Sequence, residues 1–320
     1  MSTQKNNRRS FLKTASVLTV GGFLATGTLD AFAAEKVSKS VKRSIRIAHI
    51  TDVHLLNETM PKTAFKRVIQ AINTMKDKPG LIINSGDSVM DMNNQGKAHV
   101  ESLWSGWREV IAANKLPLKS CIGNHDVWYA PKAEADALKD DPLYGKKMTM
   151  KELDMPGPYY SFSQNGWKFI ALDSINHYKD ISGYGLGEEQ LAWLKLELEK
   201  TNESTPVLIF SHVPILTVTG ITYEAQRRAM HGGYSLGDQH VDVKQIKDLF
   251  YAHKNVRVAL SGHMHYIDDV DYLGVKYHCG GAVSGNWWGG VLDEFPPAYT
   301  IIDLYEDGTS EREMIYYNWQ

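Results

Sequence analysis

Residues 116–126 read Leu116-Pro117-Leu118-Lys119-Ser120-Cys121-Ile122-Gly123-Asn124-His125-Asp126. Leu116, Leu118 and Ile122 have the look of buried β-structure, and Gly123 lets the backbone turn sharply so that Asn124 and His125 emerge together at the strand's end. A neutral amide oxygen beside an imidazole pairs a metal donor with an acid/base group. The same residues also suit an Asx-type turn that merely closes a strand. Which reading holds depends on what other strands deliver to the same place.

Four more apolar runs end in the same kind of residue. Ile45-Arg46-Ile47-Ala48-His49-Ile50 leads into Thr51-Asp52-Val53-His54, and Leu81-Ile82-Ile83-Asn84 leads into Ser85-Gly86-Asp87. Val207-Leu208-Ile209-Phe210 leads into Ser211-His212, and Val256-Arg257-Val258-Ala259-Leu260 leads into Ser261-Gly262-His263-Met264-His265. In an open α/β sheet, ligands bind in the crevice outside the carboxyl ends of the strands, so these ends are expected to converge on one metal site.

The order Asp52-x-His54, Gly86-Asp87, Gly123-Asn124-His125-Asp126, His212 and Gly262-His263-x-His265 resembles the calcineurin-like binuclear metallophosphoesterases over about residues 45–305. The resemblance implies an α/β fold, a four-layer α/β/β/α sandwich of two mixed sheets with flanking helices. It implies a first metal on Asp52, His54 and His265, a second on Asn124, His212 and His263, and Asp87 bridging both. It further implies that His125 stays unligated and protonates the leaving group. Asp126 either orients His125 or caps the turn. The purple acid phosphatase branch is a poorer match, since its tyrosinate position three residues after the bridging Asp is Met90 here, and it lacks the histidine found here as His54. The bacterial branch that includes cyclic-nucleotide phosphodiesterases is more similar.

Such a donor set, rich in nitrogen and oxygen and free of thiolate, suits two divalent or mixed-valence transition-metal ions (Mn, Fe, Zn or Co) better than Ca or Mg. Two cations about 3.5–4 Å apart would depress the pKa of water and supply a hydroxide nucleophile near neutral pH. Their charge outweighs that of the two aspartates and the hydroxide, so the expected partner is a small-molecule phosphate ester. A second reading is a metal-stabilised binding scaffold of the same fold that has lost catalysis. Scaffolds are expected to have lost donors or the acid, and here all stand.

The amino terminus has a different character. Asn7-Arg8-Arg9-Ser10-Phe11-Leu12-Lys13, a mildly apolar run and Ala31-Phe32-Ala33-Ala34 make residues 1–34 a twin-arginine signal peptide, read by the Tat export machinery. The run is too short and too rich in Gly, Ser and Thr for a spanning helix, so no stable membrane anchor and a periplasmic or otherwise exported product are expected. Residues 35–44 read as a charged linker, and 45–320 as one catalytic domain. The whole chain has a formal net charge of −2, and residues 1–34 hold four bases against one acid. A mature chain more acidic still argues against a nucleic-acid polymer as partner. Cys121 and Cys279 are read as buried thiols in preference to a disulfide.

Helical spacing of Phe65, Val68, Ile69, Ile72 and Met75 after Pro61 predicts one helix, and Val100, Leu103, Trp104, Trp107, Val110 and Ile111 predict another over 97–114, with both tryptophans in the core. Residues 127–158 lack a long apolar period and form either a wall of the site or a surface excursion. A hairpin turns at Asn165-Gly166. Further helices are expected from Glu188 and over 242–253, and strands around 268–272, 275–278, 299–304 and 314–317 are assigned to a second sheet. His49, His99, His177, His240, His253 and His278 read as surface or satisfied core groups. His231, in a loop-like His-Gly-Gly stretch, is a candidate for substrate binding. So are Asn286, Trp287 and Trp288, which lie in a glycine-rich loop where successive side chains point to opposite sides. That pair either forms a stacking platform for a flat leaving group or packs, one under the loop and one over an edge.

Overall fold

The computed structural model describes residues 41–177, 183–224 and 236–319. Three strands that read as continuous apolar runs, β1 (Arg43–Ile50), β2 (Leu81–Asn84) and β3 (Leu118–Ser120), lie parallel side by side. Parallel strands require crossovers, and these are α1 (Thr59–Thr74) and α2 (Lys97–Ile111). Residues 127–158 hold two short helices, α3 (Ala135–Leu138) and α4 (Lys147–Glu152). The hairpin of β4 (Tyr160–Gln164) and β5 (Trp167–Ala171) turns through Asn165 and Gly166 at φ 49° and 83°, the left-handed pair that a two-residue hairpin needs.

After it come the short β6 (Asn176–His177) and β7 (Gly183–Gly185), then α5 (Gly187–Lys200), β8 (Val207–Phe210), β9 (Leu236–His240), α6 (Val243–Ala252) and β10 (Val256–Ser261). The antiparallel pair β11 (Ile267–Tyr272) and β12 (Val275–Gly280) and a last hairpin, β13 (Ala298–Tyr305) and β14 (Ser310–Tyr316), complete the chain. The strand orders are β14-β13-β1-β2-β3 in one sheet, β11-β12-β10-β8-β5-β4 in the other, and β6-β7-β9 in a small third.

Side-chain alternation along the strands builds the layers. Ala48 and Ile50 face α1 and α2, meeting Phe65, Val68, Trp104 and Trp107, whereas Ile45 and Ile47 face the opposite sheet and meet Phe210, Val258 and Leu260. On the far side Val207, Ile209 and Ala259 pack on Leu194 and Leu198 of α5 and on Ile246 and Phe250 of α6. The order is helices, sheet, sheet, helices, the expected four-layer sandwich. Cys121 and Cys279 are free, buried thiols.

Two expectations need correction. The strands near 299–304 and 314–317 do not join the second sheet: β13 pairs antiparallel with β1, and β14 pairs with β13. β13 is buried along nearly its whole length, which only a place inside a sheet between two apolar layers provides. The first strand also starts earlier than Ile45, where the apolar run begins in the sequence. Arg43 opens β1, its guanidinium held by Asp77 at 2.6 Å and near Asp303 at 3.3 Å, and Lys42 meets Glu306 at 2.9 Å. Partners far along the chain order these residues, and no local pattern signals them.

Candidate metal centre

The carboxyl ends of β1, β2, β3, β8 and β10 bring Asp52, His54, Asp87, Asn124, His212, His263 and His265 into one cluster. Donor atoms of Asp52, His54 and His265 lie within 4.8 Å of one another, as do those of Asp87, His212 and His263. Asn124 Oδ1 completes the second group, 3.0 Å from His212 Nε2 and 2.9 Å from His263 Nδ1. Asp87 belongs to both halves: its Oδ2 is 3.2 Å from His212 Nε2 and 3.5 Å from His54 Nε2, while its Oδ1 accepts the His125 N–H at 2.8 Å.

Local backbone makes this packing feasible. A Cβ on Gly123 would stand 2.1 Å from Asp87 N and Oδ1, and one on Gly262 would stand 1.8 Å from Thr51 Oγ1. Only glycine permits the neighbouring loops to approach so closely. Asp52, His54, Asp87, His263 and His265 have φ between 45° and 69°, a left-handed conformation that is sparse for non-glycine residues and collects at functional sites.

The cluster suits cations. His212 donates Nδ1–H to Ser85 O at 2.9 Å and His265 donates Nδ1–H to Gly285 O at 2.6 Å, which turns each Nε2 toward the other donors. Around them crowd the acceptors Asp87 Oδ2 and Asn124 Oδ1, and His54 Nε2 lies 2.9 Å from His265 Nε2. Burial disfavours charge on His212, yet Asp87 outweighs burial and lifts its pKa to about 9, which marks the site as one that favours positive charge. Asp52, buried among carboxylate and imidazoles, has its pKa raised by desolvation. Both shifts would couple cation binding to proton release.

His125 is a quarter exposed, with Nε2 4.0 Å from Asp87 Oδ2. Its Nδ1 lies 3.0 Å from Asp91 Oδ2, in an oblique approach. Burial opposes the imidazolium, but Asp91 and Asp87 outweigh it and raise the pKa to about 9. The carboxylate beside the His125 ring is Asp91 and not Asp126. Asp126 is buried and caps its own turn and the loop after β2, accepting N–H groups of Ser88 at 2.8 Å, Val89 at 3.2 Å and Gly123 at 3.1 Å. Asn93 ties Asp91 to the site, donating from Nδ2 to Asp91 Oδ1 and to Asn124 O, each at 2.8 Å. An acid in the loop after the neighbouring strand was the signal available in the sequence.

The tryptophan pair divides. Trp287 is 44% exposed and its ring lies 4.3 Å from that of His265, over the first half of the cluster. Trp288 is buried, donates Nε1–H to His54 O at 2.9 Å and packs edge-on against Trp319, the packing alternative of the sequence reading. Asn286 is half-buried and closes the loop through its backbone to Gly290 and Gly289. His231 lies outside the described residues. Sequence reasoning missed Tyr184, whose ring meets His263 edge-on at 5.7 Å. It also left the place of 127–158 open. That stretch packs on the loops after β3 and β5, with Thr149 Oγ1 on Asp126 O and Lys146 Nζ on Asp173, Ile175 O and Asn176.

Residues 45–266 match the family model described as calcineurin-like phosphoesterase, and the chain belongs to that family. It is a hydrolase acting on phosphoric ester bonds, in a family dependent on a binuclear metal centre. It is 29% identical over 229 residues to a protein of Synechococcus sp. named "Probable cyclic nucleotide phosphodiesterase", an alignment covering 69% of this chain and 74% of the relative. It is 23% identical over 247 residues to the "Probable glycerophosphodiester phosphodiesterase GpdQ" of Arcobacter nitrofigilis, covering 69% and 72%. In fold it is similar to a dimetal phosphatase from Danio rerio, with a TM-score of 0.58 at 14% identity, over 87% of this chain and 100% of that one.

Proposed function

We propose that this chain is an exported hydrolase of phosphomonoesters or phosphodiesters, nucleotide esters among them, working with two transition-metal ions. The observation that carries the reading is the convergence of seven nitrogen and oxygen donors from five strand ends, with Asp87 shared between the halves. Asp52, His54 and His265 would hold one ion, Asn124, His212 and His263 the other, and Asp87 both. When bound, such ions neutralise phosphate charge and make water acidic enough to attack near neutral pH.

The chain's own residues do the rest. His125 stands beside the cluster with Nε2 turned inward and, held in place by Asp91, donates a proton to the departing alkoxide. The test is metal analysis together with turnover of p-nitrophenyl phosphate, its bis-ester and a nucleotide panel. A protein that retains two metals and turns over none of these would refute the hydrolytic reading.

Trp287 offers an exposed ring for a flat leaving group. Stacking on an aromatic side chain supplies about 1–3 kcal/mol per base. Trp287→Ala should therefore lower kcat/KM about 5- to 150-fold on a nucleotide ester and leave a small alkyl phosphate untouched. Equal losses on both would assign the ring to packing.

Export rests on Arg8-Arg9 and the apolar run after it, outside the described residues. Among the described residues no helix is long and apolar enough to cross a membrane. With both arginines replaced by lysine, fractionation should find the precursor in the cytoplasm with its intrinsic activity intact. Delivery at the normal level would point to another route.

A further inference from the structure

One loop touches every unshared donor of one half of the cluster. Ser284 donates N–H and Oγ–H to Asp52 O at 3.1 and 2.8 Å, Trp288 donates Nε1–H to His54 O at 2.9 Å, and Gly285 O accepts His265 Nδ1–H at 2.6 Å. The other half has mostly different supports: His212 is held by Ser85 O, Asn124 O by Asn93 Nδ2 and Gly262 by His212 O, while His263 N–H donates to Asp52 Oδ1 and Oδ2 at 3.0 Å and so links the two halves.

Conformation divides the halves in the same way. Asp52, His54 and His265 have φ of 50°, 45° and 59°, and Trp287 and Trp288, consecutive in the loop, have 45° and 68°. Of the unshared donors in the other half, only His263 has positive φ, at 69°. Backbone in this region persists when its surroundings over-determine it, so the first half depends on outside support.

That support comes from the end of the chain. Beyond β14 the backbone folds under the loop. Tyr317 Oη–H is donated to Val283 O, Tyr317 N–H to Pro297 O at 3.1 Å, and the buried Trp319 ring meets Trp288 edge-on at 5.3 Å.

We infer that Trp288, seated on Trp319, is a positioning residue that sets the cation affinity of the Asp52, His54 and His265 half in preference to that of the other half. The inference rests on reading these donors as metal ligands. Trp288 acts on the carbonyl of His54 and so on the direction of its imidazole. His54 Nε2 is 2.9 Å from His265 Nε2, and a small tilt of the His54 backbone opens the triad. Loss of groups that orient a metal's ligands costs about 10- to 100-fold in affinity.

The experiment is calorimetric titration of chelator-treated full-length protein with Co²⁺, followed in parallel by cobalt absorption. The wild type should show two binding events. Trp288→Phe, which removes the indole N–H together with part of the buried ring, and Trp319→Ala should each weaken one event about 10- to 100-fold and leave the other in place. The retained event then serves as an internal control for folding. Trp319→Phe, which keeps a ring beneath Trp288, should restore most of the loss. In a His54→Ala background, Trp288→Phe should have no effect on the event that remains. A wild type that takes up no Co²⁺ would overturn the metal reading and this inference with it. Two wild-type events that Trp288→Phe leaves unchanged, or weakens together with a fall in Tm, would overturn this inference alone.

Discussion

His125→Ala is expected to lower kcat on alkyl phosphate esters by about 10²–10⁴, the usual worth of general acid catalysis, while metal content stays unchanged. An alkoxide leaves poorly without a proton, whereas p-nitrophenolate leaves as the anion, so activated aryl esters should lose far less. Equal losses on both would make His125 a positioning residue. Asp91→Asn is the companion variant. Asp91 and Asp87 raise the His125 pKa to about 9 against the pull of burial, and bound cations would draw it down again. The acid works when protonated, so activity should fall as pH rises through this pKa. Losing the Asp91 charge lowers the pKa, and the alkaline limb of the rate profile should move to lower pH. An unmoved limb would detach Asp91 from His125.

Asp87→Ala is expected to release both metals and abolish measurable turnover, because its Oδ2 faces His212 and His54 at once. Each half would lose an anionic donor, and His212 would lose the charge that offsets its burial. Ligand binding stabilises a folded protein by about 2.7 kcal/mol when the free ligand is 100-fold above Kd. Excess metal should therefore raise the Tm of the wild type by several degrees and that of the variant hardly at all, and a chelator should remove the difference in response. Two tightly held metals in Asp87→Ala, measured by elemental analysis after dialysis, would remove the shared role.

Much of this molecule was legible in its residues. An apolar run that ends in Asp, Asn or His is a local pattern, and parallel central strands, buried on both faces, must be apolar throughout. β1, β2, β8 and β10 were therefore visible together with the donors at their ends. The glycines at 123 and 262 stand directly before donors for an equally local reason, since a Cβ there would collide with the adjacent loop. Helical spacing likewise located the buried faces of α1 and α2.

What only the tertiary structure decided involves partners remote in sequence. The last hairpin joins the first sheet because β13 finds the open edge of β1, a pairing across some 250 residues that no periodicity encodes. Asp126 is next to His125 in the chain, yet its carboxylate turns back into the amides of 88, 89 and 123, and Asp91 reaches the ring because the loops after β2 and β3 are spatial neighbours. Trp287 and Trp288 do diverge, but at φ of 45° and 68° and not through the extended-backbone alternation that the sequence suggested. Which of them faces solvent was settled by Trp319, at the far end of the chain, where it buries one indole beneath the loop and leaves the other standing over His265.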